Sequence, residues 1–113
     1  MNIFTDYPKI IKSLPEIDID LPGVKGYLMQ GPDSQIAFFE LDTVADIPLH
    51  SHGAQWGIVV EGEMDLTISG NTKTYKKGDS YYINAGEVHA AVFKEKTFVI
   101  DFFSDKKRYS IKK

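Results

Sequence analysis

The three histidines of this sequence lie in two short segments. His50 and His52 are two residues apart, and His89 follows a turn around Gly86. If His50 and His52 lie on one strand, their imidazoles project from the same face. A lone histidine is more often a surface or satisfied core residue than a ligand, and a His-x-His pair alone is a weak signal. Because every histidine occurs in a similar turn-and-strand setting, the combination predicts a site for a transition metal ion.

The chain has no cysteine, which excludes disulfides, thiolate metal sites and thiol nucleophiles. The ligands must therefore be nitrogen and oxygen atoms, and Gln55 is the candidate fourth ligand. Its strand parity is opposite to that of His52, so Gln55 faces the site only if the chain bulges or turns at Gly53. A neutral ligand set leaves the charge of a divalent ion uncompensated, so the ion would be a strong Lewis acid that attracts an anionic oxygen. Such a site suits a divalent transition metal such as Ni, Zn, Fe, Mn or Co.

Two residues near the C-terminus could add acid–base chemistry and anion binding. Asp101 lies in an apolar strand segment, where a carboxylate without a partner is costly to bury. It is therefore a candidate general acid/base lining a cavity, although it could also lie in water at the rim or pair with a lysine. Arg108 is the only arginine, and its guanidinium can grip a carboxylate through two hydrogen bonds. A solvated position in the C-terminal tail is the alternative for Arg108.

The elements that would position these residues are short strands. Apolar and polar residues alternate along most of the chain, and turn residues interrupt the alternation at intervals of roughly 8 to 12 residues. We expect strands at residues 17–21, 24–30, 35–42, 47–52, 55–61, 64–68, 72–76, 80–83, 88–93 and 97–103. One helical turn is expected after Pro8, with Ile10 and Ile11 facing inward. The sequence therefore predicts one all-β domain over residues 1–113, an antiparallel sandwich or barrel with one short N-terminal helical turn.

Both histidine segments resemble motifs of the cupin family. The first motif (His-x-His, a few residues, Glu, six residues, Gly) is matched by His50-Ser51-His52-Gly53-Ala54-Gln55 and Gly62. The second motif (Gly, five residues, Pro-x-Gly, two residues, His) is matched by Gly78, Asn84-Ala85-Gly86 and His89. The sequence departs from the family at Gln55, where most members have Glu, and at Asn84, where Pro is usual. The resemblance implies a cupin jelly-roll β-barrel that holds a metal ion inside through His50, His52, Gln55 and His89.

A finer resemblance is to the small cupins of pectin and alginate degradation, which act on unsaturated uronates. The matching residues are His50, His52, Gln55, Gly78-Asp79-Ser80-Tyr81-Tyr82, His89, Asp101, Phe103 and Arg108. This resemblance implies a metal-dependent enzyme of isomerase or lyase type that opens the ring of a small anionic sugar, such as a 4,5-unsaturated uronate. It also implies that Asp101 acts with the metal in the opening and that Arg108 holds the sugar carboxylate.

Two other functions stay open at this stage. Some cupins with three histidines are metal-dependent dioxygenases, which need a redox metal and an open position for O₂. A free-standing cupin can also be a non-enzymatic binding module for a small molecule such as a sugar. Histidine substitution separates both enzymes from a metal-free binder, and oxygen uptake separates the dioxygenase from the isomerase.

Composition and patterning limit the partners. The formal net charge is −3, which argues against nucleic acid as a main partner. No apolar run approaches the length of a membrane span, and Met1–Leu14 lacks the long apolar region of a signal peptide, so we expect a cytoplasmic protein. Edge strands of a small barrel are commonly covered by a second subunit, so we expect a homodimer. Trp56 faces outward if Gln55 points inward, and it is then either outer packing or a dimer contact.

Overall fold

The structure is a computed structural model that describes residues 3–113. Met1 and Asn2, which the predicted domain includes, lie outside the described residues. One short helix, α1 (Lys9–Lys12), precedes the strands. The strands are β1 (Val24–Gln30), β2 (Gln35–Leu41), β3 (Asp46–His50), β4 (Gln55–Glu61), β5 (Glu63–Ile68), β6 (Asn71–Lys76), β7 (Ser80–Ile83), β8 (His89–Phe93) and β9 (Thr97–Phe103).

The strands form two antiparallel sheets that face each other. One sheet has five strands in the order β1-β2-β9-β4-β7, and the other has four in the order β3-β8-β5-β6. All the pairings between these strands are antiparallel. The predicted fold class, an all-β jelly roll with one short helical turn, is therefore confirmed. Within residues 3–113, no helix has the length and apolar character needed to span a membrane.

Alternation along the strands builds the core between the two sheets. In β2, every second residue from Gln35 to Leu41 is buried. In β9, Val99 and Phe103 point to the same interior and are almost fully buried. Where an inward-facing position of a strand holds a polar residue, the pleat points that side chain into the apolar interior. Functional groups reach the interior in this way.

Three local predictions differ from the structure. Residues 17–21 form no strand, and one of them, Ile17, makes an isolated bridge to Ile111. The third strand ends at His50 rather than at residue 52. The prediction that Ile10 faces inward is wrong, because its side chain is 80% exposed. The helix is too short to have a buried face, since none of its residues is buried.

Candidate active site

The two histidine segments meet at one end of the four-stranded sheet. His50 is the last residue of β3 and His89 is the first residue of β8, and the two are direct partners in the antiparallel pairing. Their ring centroids lie 4.1 Å apart. His52 lies in the connection after β3, and its ring centroid is 5.2 Å from that of His50 and 4.8 Å from that of His89. The potential ligand atoms of all three residues lie within 4.8 Å of one another.

Backbone carbonyls fix the orientation of each imidazole. The Nδ1 atom of His50 is 2.9 Å from the carbonyl oxygen of Pro48, that of His52 is 2.8 Å from the carbonyl of its neighbour Gly53, and that of His89 is 2.9 Å from the carbonyl of Glu87. Because a carbonyl only accepts hydrogen bonds, these contacts assign the proton to Nδ1 and leave the lone pair on Nε2. Carbonyl contacts of this kind orient metal-binding histidines.

Two of the free imidazole nitrogens have no other use in the protein. Nε2 of His52 and Nε2 of His89 are buried and have no hydrogen-bond partner among the described residues. A buried polar atom without a partner costs about 1–3 kcal/mol, so such atoms need an explanation. A transition metal ion supplies one, because it binds the lone pair of neutral imidazole. The cluster therefore fits a metal ion through its donor chemistry and its converging geometry.

A turn between the two sheets brings Gln55 to the same interior. The chain leaves the four-stranded sheet after His50 and enters the five-stranded sheet at Gln55. The carbonyl of His52 accepts a 2.8 Å hydrogen bond from the backbone N–H of Gly86, which ties the two histidine segments together. Gly86 has a φ of +82°, a left-handed conformation that glycine adopts without strain. Gln55 is buried, as expected if the chain turns at Gly53.

Burial keeps the imidazoles in the form that can bind a metal. It lowers the pKa of His50, and it lowers the pKa of His52 to about 4. The positive charge of Arg108 lowers the pKa of both groups further. At neutral pH His50 and His52 are therefore neutral, and metal binding requires no loss of protons from them.

The histidines line a cavity of about 540 Å³ between the sheets, a volume in the usual range for small-molecule sites. The residues predicted for metal binding and catalysis all line it: His50, His52, Gln55, His89, Asp101 and Arg108. Most of the remaining wall is apolar, with residues such as Phe39, Met64 and Leu66. The structure therefore brings every predicted site residue into one cavity, while the individual roles remain predictions.

Asp101 is buried in this cavity and has specific partners. Tyr81 donates a 2.7 Å hydrogen bond from its hydroxyl to Oδ1 of Asp101. Burial raises the pKa of Asp101 to about 6, although Tyr81 and Gln55 act on this pKa in the opposite direction. Burial, aided by the charge of Asp101, also holds the pKa of Tyr81 well above its ordinary value, so this tyrosine remains a hydroxyl donor. Asp101 is therefore neither a solvated rim residue nor the partner of a lysine.

Tyr81 belongs to the matched run 78–82, but the sequence assigned it no role in the site, and Gly57 is the signal that could have revealed one. Gly57 lies in the middle of β4, directly between Tyr81 of β7 and Asp101 of β9 in the two pairings. A Cβ atom at residue 57 would overlap with Oδ1 of Asp101 and with the ring of Tyr81. Glycine inside a strand often marks such a close approach. Here it leaves the room in which the tyrosine reaches the carboxylate.

Replacing Gly57 by alanine is therefore expected to destabilise the protein and to disturb the pair of Asp101 and Tyr81. Overpacking of this kind typically costs about 1–3 kcal/mol, and we expect the upper end of that range because both neighbouring strands are held in register. Urea unfolding of G57A against the wild-type chain measures the loss of free energy.

Gly70 provides the matched control for G57A. A Cβ atom at residue 70 would meet no atom within 4 Å, so G70A tests the backbone conformation alone. Because φ is +83° at Gly70, we expect a cost of about 1 kcal/mol there. Equal losses for the two variants would contradict the steric role of Gly57.

Arg108 lines the cavity rather than extending into solvent. Its guanidinium carbon lies 4.3 Å from the ring centroid of Tyr109 and 6.0 Å from that of Phe103, so the group stacks on aromatic faces. Its Nε atom is buried and has no hydrogen-bond partner within residues 3–113. Asp18 and Asp20 also line the cavity, but both are exposed. The guanidinium therefore offers an unused donor to an anion in the cavity.

The chain matches the family model Cupin_2, described as a cupin domain, over residues 37–102. Among curated protein sequences, none matches this chain. The structure is similar to that of KdgF from Halomonas sp. at 25% sequence identity, with a TM-score of 0.73 and with 81% of this chain and 87% of that chain covered. An RmlC-like cupin from Shewanella frigidimarina NCIMB 400 is 27% identical, with a TM-score of 0.75 and coverage of 83% of this chain and 86% of that one.

A more distant likeness is to salicylate 1,2-dioxygenase from Pseudoaminobacter salicylatoxidans, at 16% identity and a TM-score of 0.69. It covers 74% of this chain but only 25% of the dioxygenase chain, and at this identity it shows the shared fold alone. The family model, in contrast, spans more than half of the 113 residues and includes all three histidines. With the jelly-roll fold and the converging imidazoles, this match shows that the chain belongs to the cupin family.

Proposed function

We propose that this cupin is an enzyme that opens the ring of a small anionic sugar, a 4,5-unsaturated uronate, and converts it to its linear keto form. The observation that carries the proposal is the presence of a buried carboxyl group, Asp101, and a guanidinium group, Arg108, in the cavity that holds the three imidazoles. The likeness to KdgF, a pectin-degradation cupin, supports this substrate class.

The proposed reaction is an isomerisation, so no atom is gained or lost. The hydroxyl at C1 of the sugar loses its proton while the bond between C1 and the ring oxygen breaks, and C1 becomes an aldehyde. The ring oxygen stays on C5 and takes up one proton, which makes it an enol hydroxyl. The enol then loses its proton while C4 gains one, which leaves a ketone at C5. The protein therefore has to move protons between oxygen and carbon atoms of one substrate, which is the task of a general acid/base.

Asp101 has the properties that this task requires. With a pKa of about 6, its carboxyl group is mostly ionised at neutral pH and can accept a proton, yet it is weakly acidic enough to return one. The hydroxyl of Tyr81 holds Oδ1, which fixes the direction in which the carboxylate faces the cavity. A divalent transition metal ion held by the three imidazoles, with Gln55 as the proposed fourth ligand, would supply Lewis acidity toward a substrate oxygen.

Arg108 is suited to bind the carboxylate of the uronate. Its Nε is buried without a partner, and a carboxylate that accepts from Nε and a terminal nitrogen would form a pair of charge-assisted hydrogen bonds. The aromatic rings of Phe103 and Tyr109 limit where the guanidinium can lie. Binding at this position would place the substrate beside both the imidazoles and Asp101.

Incubation of the metal-loaded protein with a 4,5-unsaturated uronate monosaccharide tests the proposal. The double bond of the substrate is conjugated with its carboxylate, so ring opening and tautomerisation remove its ultraviolet absorbance. We expect this absorbance to disappear faster with protein than in buffer, with no oxygen consumed. Binding of the sugar without turnover would favour the non-enzymatic module, and oxygen uptake would favour the dioxygenase.

The homodimer is a further proposal, supported by the outer face of the five-stranded sheet. Five large apolar residues lie side by side across its strands, one on each strand, and we call them the outer stripe: Met29, Ile36, Phe102, Trp56 and Tyr82. All except Ile36 are exposed. Trp56 faces outward, as the strand parity predicts. Because the outer stripe carries no charge, two copies of it can pack together without like-charge repulsion, and large exposed apolar patches often mark protein interfaces.

Sedimentation equilibrium tests the homodimer. We expect the wild-type chain to sediment at twice its mass of 12.7 kDa, and Trp56→Glu to sediment as a monomer because each copy would bring a charge to the interface. Thr72→Glu, at an exposed position of β6 in the other sheet, is the matched control and should remain a dimer. A wild-type mass of one chain would contradict the proposal.

A further inference from the structure

The segment after β9 lines the cavity and is attached by hydrogen bonds to two other parts of the fold. On one side, the carboxylate of Asp105 accepts a 2.7 Å hydrogen bond from the backbone N–H of Gly53, beside the histidine site. On the other side, the backbone of Ser110 accepts a 2.8 Å hydrogen bond from the N–H of Asp18. Arg108 lies between these two attachments, so the course of the short backbone segment from Asp105 to Ser110 sets the direction of its guanidinium.

Two glutamine side chains hold the backbone of this short path. Gln35 accepts a 3.0 Å hydrogen bond at Oε1 from the N–H of Tyr109, and it donates a 3.0 Å hydrogen bond from Nε2 to the carbonyl of the same residue. Its amide thus pairs with both backbone groups of Tyr109, as a neighbouring strand would. Gln30 donates a 3.0 Å hydrogen bond to the carbonyl of Lys106 and accepts a 2.7 Å hydrogen bond from Nε2 of Gln35.

Gln35 has no other function in the fold that would account for its type. It is only 1% exposed and lies at the start of β2, where its strand neighbours on the inner face are apolar. Burying a primary amide is unfavourable unless its donors and acceptor are used, and here they are used on Tyr109 and Gln30. Arg108 immediately precedes Tyr109 in the sequence, so it lies directly beside this attachment.

We propose that Gln35 is a positioning residue for Arg108. By fixing both backbone groups of Tyr109, it holds the preceding guanidinium against the aromatic rings and inside the cavity, and Gln30 supports it. Gln35 itself does not touch the substrate. The importance of the guanidinium position for catalysis rests on the proposed function, in which Arg108 binds the uronate carboxylate. The position of the guanidinium itself can be measured in the free protein.

Nuclear magnetic resonance of the free protein provides the first test, because Arg108 is the only arginine and gives the only guanidinium Nε–H signal. In the wild-type chain we expect slow exchange of this proton with water, since Nε is buried. In Gln35→Met, which has nearly the same shape but no hydrogen bonds, we expect exchange of this proton and of the Tyr109 amide to be at least about tenfold faster. Unchanged exchange of both protons would overturn the proposal.

Two further variants guard against misfolding as the cause. Gln30→Met changes an exposed residue, so it should fold normally and accelerate the same exchange to a smaller extent. Thr67→Val, on the far sheet, is the control and should change neither signal. Amide exchange within β9 should stay slow in all variants. A specific role of Gln35 would be contradicted if Gln35→Met accelerated amide exchange throughout β9 while Gln30→Met had no effect on the Arg108 and Tyr109 signals.

Kinetics on the unsaturated uronate test the connection to Arg108. We expect Gln35→Met to raise KM about tenfold with kcat changed less than about twofold, and Arg108→Met to raise KM about 30-fold. If Gln35 acts through Arg108, the double variant should lie within about twofold of Arg108→Met alone. Multiplicative effects, or a loss confined to kcat, would overturn the positioning role. If no variant, including the wild-type chain, turns over this sugar, the proposed function fails and the exchange measurements still decide the proposal.

Discussion

His52→Ala is expected to abolish metal binding by the purified protein. The imidazole of His52 contributes one of the converging Nε2 atoms, which is buried and has no hydrogen-bond partner among the described residues. Removing even an outer partner of a metal site typically costs 10–100-fold in affinity, so loss of a ligand itself should cost more than about 100-fold. Elemental analysis should find about one transition metal ion per wild-type chain and almost none in His52→Ala.

Thermal unfolding gives a second measurement of the same prediction. A metal ion at a free concentration of 100 times its dissociation constant stabilises the folded state by about 2.7 kcal/mol, which corresponds to a rise in Tm of roughly 10 °C for a domain of this size. We expect this rise in the wild-type chain when metal is added after chelation, and no rise in His52→Ala.

The metal-free proteins and one surface variant are the controls. Without metal, the two chains should unfold within a few degrees of each other, because the alanine removes a buried nitrogen that has no partner. Lys73→Ala, at an exposed position of β6, should bind metal like the wild-type chain. Full metal content in His52→Ala would show that the cluster is not the site.

The fold could be predicted because strand periodicity is a local property of the sequence. In β5, the alternation of polar and apolar residues identifies the residues that face the core, and turn residues mark where the strands end. The segment 17–21 has the same alternation, yet it forms one isolated bridge, at Ile17, and no strand. A strand exists only where a partner strand continues alongside it, and no local pattern reveals how long that partner runs.

The structure brings the three histidines together, as the sequence predicts, but for a partly different reason. The parity argument requires His50 and His52 to share one strand, whereas β3 ends at His50 and His52 lies in the following turn. His50 and His89 meet through the pairing of β3 with β8, and the N–H of Gly86 binds the carbonyl of His52 and so ties His52 to the second segment. The placement of Gln55 inside depends on the same turn, which the sequence allowed through Gly53 without requiring it.

Residues that hold other residues in place were harder to predict from the sequence than the histidines. Tyr81 and Gln35 reach Asp101 and Tyr109 across 20 and 74 positions of sequence. Each is ordinary for its own strand, since aromatic side chains are common in cores and glutamine is common at strand ends. Only Gly57, a glycine in the interior of a strand, carried a local sign of the close packing around Asp101.

Asp101→Asn is expected to lower kcat on the unsaturated uronate about 1,000-fold while the metal content stays unchanged. General acid–base catalysis contributes typically 10²–10⁴-fold, and an amide cannot accept and return a proton at neutral pH. Asparagine keeps the shape of the side chain and can still accept the hydrogen bond that Tyr81 donates. Asp101 is not among the converging imidazoles, so its loss should leave the metal bound.

Stability separates a catalytic role of Asp101 from a structural one. Burial in this cavity disfavours the charged carboxylate, and a neutral amide of the same size avoids that penalty. We therefore expect Asp101→Asn to unfold at a temperature within a few degrees of the wild-type chain. Asp101→Ala should likewise keep the metal and lose turnover, although it leaves the hydroxyl of Tyr81 without its partner and should be less stable by about 1–3 kcal/mol.

Two variants complete the comparison and define what would contradict it. Asp79→Asn changes an exposed carboxylate in a turn and should retain full activity. Tyr81→Phe keeps Asp101 but removes the hydrogen bond to Oδ1, so it should reduce kcat by about tenfold, much less than Asp101→Asn. If Asp101→Asn retains wild-type turnover while Tyr81→Phe loses it, the tyrosine rather than the carboxylate transfers the proton. If both variants retain wild-type turnover, neither residue transfers the proton, and the proposed acid–base role of Asp101 is wrong.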